Sequence, residues 1–306
     1  MKTPPFLKEN DTIGLVSPAG KIDSVHIENA IKYLESKKLR CVMAPYATDS
    51  YNQFSSTDEK RAKDLQMMFD NPDIKAIWCT RGGYGSIRLI DKLDFSILEK
   101  HPKWLIGFSD ITVLHSVLRE KLGLVSIHGA MCLNLSSESF SESGVDNLWK
   151  LLFGEMPNYE LLNHYLNRIG KSSGTLIGGN LSLICSLLGS PYDFNPKGKI
   201  LFIEDVGEYL YRIDRMMLSL KISGKLAGLS GLIVGQFSEI KDNDTPFGKS
   251  AYEIIAEAVA DYNYPVIFDF PAGHTKCNEP LLLGIQVEVE GTEKKTKIKI
   301  NNIRKF

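Results

Sequence analysis

The sequence predicts an α/β protein. Its first half is a parallel sheet with helices on both faces, and its second half mixes strand and helix. Two observations predict this. Short apolar runs alternate with loops and helical patterns through the first half, as parallel strands linked by crossover helices require. That rhythm then lapses over residues 155–172, where Gly154, Pro157 and several asparagines replace the apolar runs. The expected division is a first domain over residues 1–155, a linker over 156–172 and a second domain over 173–306.

Each element has its own local warrant. Thr12 to Val16 reads as a strand leading into Ser17-Pro18-Ala19-Gly20, and Ser24 is placed to cap a helix reaching about Lys38. Cys41 to Ala44 is a strand and Asp58 to Phe69 a charged amphipathic helix. Ile74 to Cys79 is a strand that runs into Arg81-Gly82-Gly83-Tyr84-Gly85-Ser86, with a helix from Ile87. Trp104-Leu105-Ile106 is a short buried strand. After it, Ile111, Val113, Leu114, Val117 and Leu118 recur at helical spacing up to Gly123, a residue suited to end a helix. Leu124 to Ile127 forms the next strand and ends at His128-Gly129.

In the second half, Gly178-Gly179-Asn180 opens an apolar helix from Leu181 to Leu188. The strand Lys199 to Val206 precedes a helix from Tyr209 to Ile222, ended by Gly224. Leu229 to Phe237 and Val266 to Phe270 are further strands. Leu281 to Val289 and Thr296 to Ile300 read as a hairpin turned near Glu290-Gly291.

Composition narrows the function. With 306 residues the chain can build two cores, and 43% hydrophobic and 24% charged residues are ordinary for a globular protein. A net charge of −1 gives no general pull toward nucleic acid or an anionic membrane. The first residues lack the apolar core of a signal peptide, and no apolar stretch reaches the roughly 18 residues of a membrane span. Five scattered cysteines, with no Cys-x-x-Cys and no zinc spacing, point to a reduced, cytoplasmic protein without structural metal or cofactor.

The seam at Gly107-Phe108-Ser109-Asp110 is the strongest chemical signal. It puts Ser109 on a strand-to-helix turn, near the positive end of a helix, where several hydrolase folds hold a nucleophile. The competing reading is a plain helix cap, because Ser followed by Asp is a good helix start. The segment is not a Gly-x-Ser-x-Gly elbow, since Ile111 stands at the second glycine position. A base is also needed. His128, at the end of the strand following this helix, and His274, on the loop Phe270-Pro271-Ala272-Gly273-His274-Thr275, are the candidates. The acid that orients the base is Glu204 or Asp205, at the end of an apolar strand whose alternation puts them on opposite faces. The Gly-rich loop Arg81–Ser86 is a phosphate cradle, a tight structural turn, or an oxyanion hole built from the amides of Gly82 or Gly83 and of Asp110.

These segments, in this order, resemble the LD-carboxypeptidase family, which also includes the microcin C immunity peptidases. The residues that carry the resemblance are Val16-Ser17-Pro18-Ala19-Gly20, Arg81 to Ser86, Gly107 to Asp110, Gly178-Gly179-Asn180-Leu181, Ile203-Glu204-Asp205-Val206 and Gly273-His274. The likeness spans about residues 12 to 290. It implies an N-terminal Rossmann-like domain and a smaller C-terminal α/β domain, with a Ser–Glu–His triad at their interface. Carried onto matching positions, Ser109 is the nucleophile, Glu204 the orienting acid, His274 the base, and Gly83 and Asp110 the oxyanion amides. It also implies a metal-free, cytoplasmic, often dimeric enzyme of peptidoglycan recycling acting on a murein peptide. Arg81, Gly82, Tyr84 and Asn180 are candidate substrate contacts, against a structural salt bridge for Arg81, a helix cap for Asn180 and an ordinary aromatic contact for Tyr84. The rivals are cleavage of a peptide-nucleotide antibiotic, an esterase-like activity, and a non-catalytic protein that binds an anionic ligand.

Overall fold

The computed structural model describes residues 1–136 and 142–300. In chain order the elements are β1 (Thr12–Val16), α1 (Ser24–Ser36), β2 (Arg40–Met43), α2 (Asp58–Asp70), β3 (Ile74–Cys79), α3 (Ser96–Lys100), β4 (Trp104–Gly107), α4 (Thr112–Leu122), β5 (Ser126–His128), α5 (Glu142–Leu152), β6 (Asn158–Leu162), β7 (Gly170–Asn180), α6 (Leu181–Ser186), β8 (Lys199–Val206), α7 (Leu210–Ile222), β9 (Gly231–Ser238), α8 (Ala251–Ala258), β10 (Val266–Ile267), β11 (Leu281–Leu283), β12 (Gln286–Gly291) and β13 (Lys295–Ile300). The chain divides into two compact units. Among the described residues, the first comprises Met1–Glu155 and Lys276–Gly284; the second comprises Met156–Thr275 and Ile285–Ile300.

The first unit is built on a six-stranded sheet in the order β11-β5-β4-β3-β1-β2. All neighbours are parallel except β11, which runs antiparallel to β5. Parallel strands are buried on both faces, which explains why β3 and β4 read as nearly continuous apolar runs. Thr57 caps α2 by accepting the Lys60 N–H, and Asp58 and Glu59 occupy its first turn, where the helix dipole favours acids. Gly123 ends α4 in the left-handed conformation, as its position predicts. The cap of α1 is Asp23, with Ser24 already the first helical residue. The helix expected from Ile87 is a 3-10 helix over Ser86–Lys92.

The second unit holds a seven-stranded mixed sheet in the order β10-β9-β8-β7-β12-β13-β6. Strands β7 to β10 are parallel, and β12, β13 and β6 extend them antiparallel. Ile213, Met217 and Leu220 recur on one face of α7 and are fully buried in a core with Leu201, Ile203 and Val234. Burying each such side chain stabilises by about 1.5–3 kcal/mol. Ser250 and Glu253 form a reciprocal capping box at the start of α8.

Two stretches differ from expectation. Residues 156–172, expected as a linker, carry β6 and the start of β7 in the second sheet. Leu281–Leu283, expected as part of the tail hairpin, leaves it to pair with β5 in the first unit, so the hairpin is β12 with β13 alone.

Candidate active site

One group of candidate residues lies at the carboxyl edge of the first unit's parallel sheet. Chain order in that sheet reverses between β1 and β3, the place where open α/β sheets form a binding crevice. The loops after β1, β3 and β4 leave here. Gly20, after β1, donates its N–H to the Gly82 carbonyl, after β3, at 3.0 Å. A Cβ on Gly82 would stand 2.9 Å from the Cβ and 3.1 Å from the Oγ of Ser109. Only glycine lets this backbone lie against the serine.

Ser109 itself has φ of 61°. That left-handed conformation costs an L-residue roughly 1–2 kcal/mol. A capping serine keeps extended backbone, and neither the 3-10 turn Ser109–Ile111 nor α4 has a side-chain bond at its cap. The plain-cap reading therefore fails. A strained serine on a strand-to-helix turn is how α/β hydrolases expose a nucleophile's hydroxyl, and strain of this kind is found where function requires it. The missing second glycine is accommodated at Gly107, where a Cβ would meet the Ile111 side chain at 2.9 Å.

The surroundings of Ser109 are held by buried polar groups. The Asp110 carboxylate accepts the Ser86 N–H at 2.8 Å, and burial pushes its carboxyl above the usual carboxylate range. His115 meets the Gly107 carbonyl at 2.9 Å and the Ser126 hydroxyl at 2.8 Å. Burial lowers its pKa to about 4, so it is a neutral strut and not a titrating base. His128 is fully buried, with its ring 5.7 Å from that of Phe108. Arg81 donates to the Lys21 carbonyl at 2.8 Å, and among the described residues no carboxylate lies within ion-pair distance of it, so its structural salt bridge does not form. Tyr84 is half exposed, with its ring 6.0 Å from Phe54. Gly83 has φ of 113°, a conformation that favours glycine, and packs beside Gly20.

A second group of candidate residues lies at the end of β8, in the second unit. Alternation sends its two acids to different partners. Glu204, with no exposed surface, meets Nδ1 of His274 at 2.8 Å. Asp205 accepts from the Asn180 side-chain amide at 2.9 Å and from the Ser182 N–H at 3.0 Å, so it braces the start of α6. Burial, reinforced by the charge of Glu204, raises the Asp205 pKa to about 7. The approach of His274 depends on Gly273, where φ is 131° and a Cβ would stand 3.0 Å from Glu204 Oε2. Burial alone would lower the His274 pKa. The charge and hydrogen bond of Glu204, with Asp205 and Glu239 behind it, outweigh that and hold it above the ordinary imidazole value.

Asn180 is engaged as a helix cap, accepting from the Leu183 N–H and the Ser182 hydroxyl. Asn180→Ala is expected to cost about 1–2 kcal/mol of stability, read as a lower Tm with KM unchanged. A raised KM at unaltered Tm would instead assign it to substrate. Among the described residues, no group of three or more His, Cys, Asp or Glu is placed to hold a metal ion, and no helix is long and apolar enough to cross a membrane.

Comparison with known proteins shows the family. Residues 13–129 match the family model described as the LD-carboxypeptidase N-terminal domain, and residues 173–289 match that of the LD-carboxypeptidase C-terminal domain. The chain belongs to the LD-carboxypeptidase family. It is 33% identical to a probable murein peptide carboxypeptidase of Bacillus subtilis, over 95% of this chain and 92% of that one. It is 32% identical to the murein tetrapeptide carboxypeptidase of Pseudomonas aeruginosa, over 91% and 93%. The crystal structure of muramoyltetrapeptide carboxypeptidase from Oxalobacter formigenes superposes with a TM-score of 0.88 at 29% identity, covering 96% of this chain and all of that one. The microcin C7 self immunity protein shares the fold, with a TM-score of 0.87 at 23% identity, covering 98% of this chain and 99% of that one.

This LD-carboxypeptidase is thus a hydrolase of the serine carboxypeptidase class. The sequence did not reveal two buried residues, one that holds the Gly-rich loop and one that holds the strand end before Ser109. Arg61 sits within a run of charges on α2, indistinguishable by pattern from a solvated residue, yet it is 1% exposed. His115 occupies an ordinary helical position, and only the fold brings its ring to the carbonyl that ends β4.

Proposed function

We propose that this LD-carboxypeptidase removes the terminal D-alanine from murein tetrapeptides, as a cytoplasmic step of peptidoglycan recycling. In this reading Ser109 attacks the carbonyl of the L-configured centre next to D-alanine while His274 takes its proton. Glu204 orients the imidazole and stabilises its charged form. The amides of Gly83 and Asp110 receive the oxyanion, and His274 then protonates the leaving amine. Water releases the acyl group by the reverse route. The left-handed backbone of Ser109 is the observation that carries the nucleophile. The murein substrate is supported by relatives of 32–33% identity whose names specify a murein peptide. The microcin immunity protein supports the fold alone.

Mass spectrometry of the protein incubated with a muramyl tetrapeptide, in D-alanine and L-alanine forms, tests the reading. Loss of alanine from the D form only is expected. Cleavage of an aspartyl sulfamoyl adenosine in place of both peptides would transfer the proposal to the microcin-type reaction.

A further inference from the structure

The Gly-rich loop and the Ser109 turn are joined through one peptide unit. The peptide between Gly85 and Ser86 presents its carbonyl to Arg61 and its N–H to Asp110. Arg61 Nη1 donates to the Gly85 carbonyl at 3.1 Å, and the Asp110 carboxylate accepts the Ser86 N–H at 2.8 Å. Both gripping side chains are 1% exposed. Arg61 is itself anchored on all sides. Its Nη1 also donates to the Pro18 carbonyl in the loop after β1, its Nε to the Ser56 carbonyl at 3.2 Å, and its Nη2 to Asp58 at 2.5 Å. The Phe54 ring lies 4.9 Å from its guanidinium carbon. Gly85 has φ of 134°, and a Cβ there would stand 2.6 Å from Arg61 Nη1, so the glycine is what admits the guanidinium.

We propose that Arg61 and the Asp110 side chain are positioning residues that set the spacing of the two oxyanion amides. The inference rests on the assignment of Ser109 as nucleophile. Asp110 contributes through its backbone N–H, directly after Ser109, while its own carboxylate holds the loop that carries Gly83 two residues before Gly85. Arg61 fixes the opposite side of the same peptide and ties it to the loop containing Gly20, against which Gly83 rests. The two amides therefore share a single rigid reference. Oxyanion stabilisation depends on donors fixed before the charge develops, and a misplacement of about 1 Å costs roughly 10²-fold. A charged fork in a buried site spends its hydrogen bonds on geometry that lysine cannot reproduce.

The test is steady-state kinetics on Arg61→Met, Arg61→Lys, Asp110→Asn and the Arg61→Met/Asp110→Asn double variant. The substrate is the muramyl tetrapeptide, and kcat is expressed per folded molecule, with the folded fraction taken from each thermal unfolding curve. A loss in kcat of about 10²-fold with KM within about twofold is expected for Arg61→Met and Asp110→Asn, with a smaller loss for Arg61→Lys. The double variant should lose little more than either single one, because both changes release the same peptide. A merely structural role predicts lower Tm with unchanged kcat per folded molecule, and that result overturns the proposal. If Arg61→Met does not fold, Asp110→Asn decides alone. Full turnover by Ser109→Ala would fail the nucleophile assignment itself, an outcome these variants do not mimic.

Discussion

Ser109→Ala is expected to lower tetrapeptide turnover by at least about 10⁴-fold, with His274→Ala close behind it. The size follows from what each group supplies. In the proposed mechanism no acyl-enzyme forms without the hydroxyl, and without the imidazole the hydroxyl stays protonated and the leaving amine has no acid. Groups that act as one unit are not additive, so the double variant should be hardly slower than Ser109→Ala. Folding should persist in both. Ser109 is only partly buried and makes no capping bond, so its hydroxyl adds little to stability. Steady-state kinetics beside thermal melts measure both. Near-normal turnover in either single variant would sink the proposed chemistry.

The second large effect concerns Glu204. In the proposed mechanism His274 must be neutral to accept the serine proton, so kcat/KM should fall as pH drops through the His274 pKa. Because that pKa is raised, the acid limb should lie above the ordinary imidazole value of about 6.5. Glu204→Gln keeps the shape of the side chain and removes its charge. The imidazole is then easier to deprotonate, so the limb should move to lower pH while the plateau falls by about 10²- to 10⁴-fold. A limb that stays in place would mean that the titrating group is not His274.

Much of this was legible in the chain because local chemistry encodes it. Apolar runs located β1, β3 and β4, and Gly82 and Ser109 stood at strand ends where loops leave a parallel sheet. The pairing of Glu204 with His274 was only half legible. Alternation separates the two acids of β8, but which face meets a histidine 70 residues later is set by Gly273 and the loop it bends. Arg61 was not legible at all, because a buried arginine and a solvated one look alike on a charged helix. Nor does Leu281-Leu282-Leu283 carry any sign of its partner. Three leucines suit either sheet, and β5 takes them only because its outer edge lacks a neighbour until they arrive.

That edge has a consequence for how the protein is made. The sheet that contains β1 is finished by β11, a strand that follows β6 to β10 of the second unit in the chain. At about 5–20 residues per second, β5 leaves the ribosome roughly 8–30 s before β11. Throughout that interval its backbone donors and acceptors form a bare strand edge, the kind of surface on which nascent chains stick to one another. The second sheet also waits, because β12 and β13 follow β11. Neither unit can close its hydrogen-bond ladder until β11, β12 and β13 have been made, and a gene cut between residues 155 and 156 would deprive the first unit of its last strand.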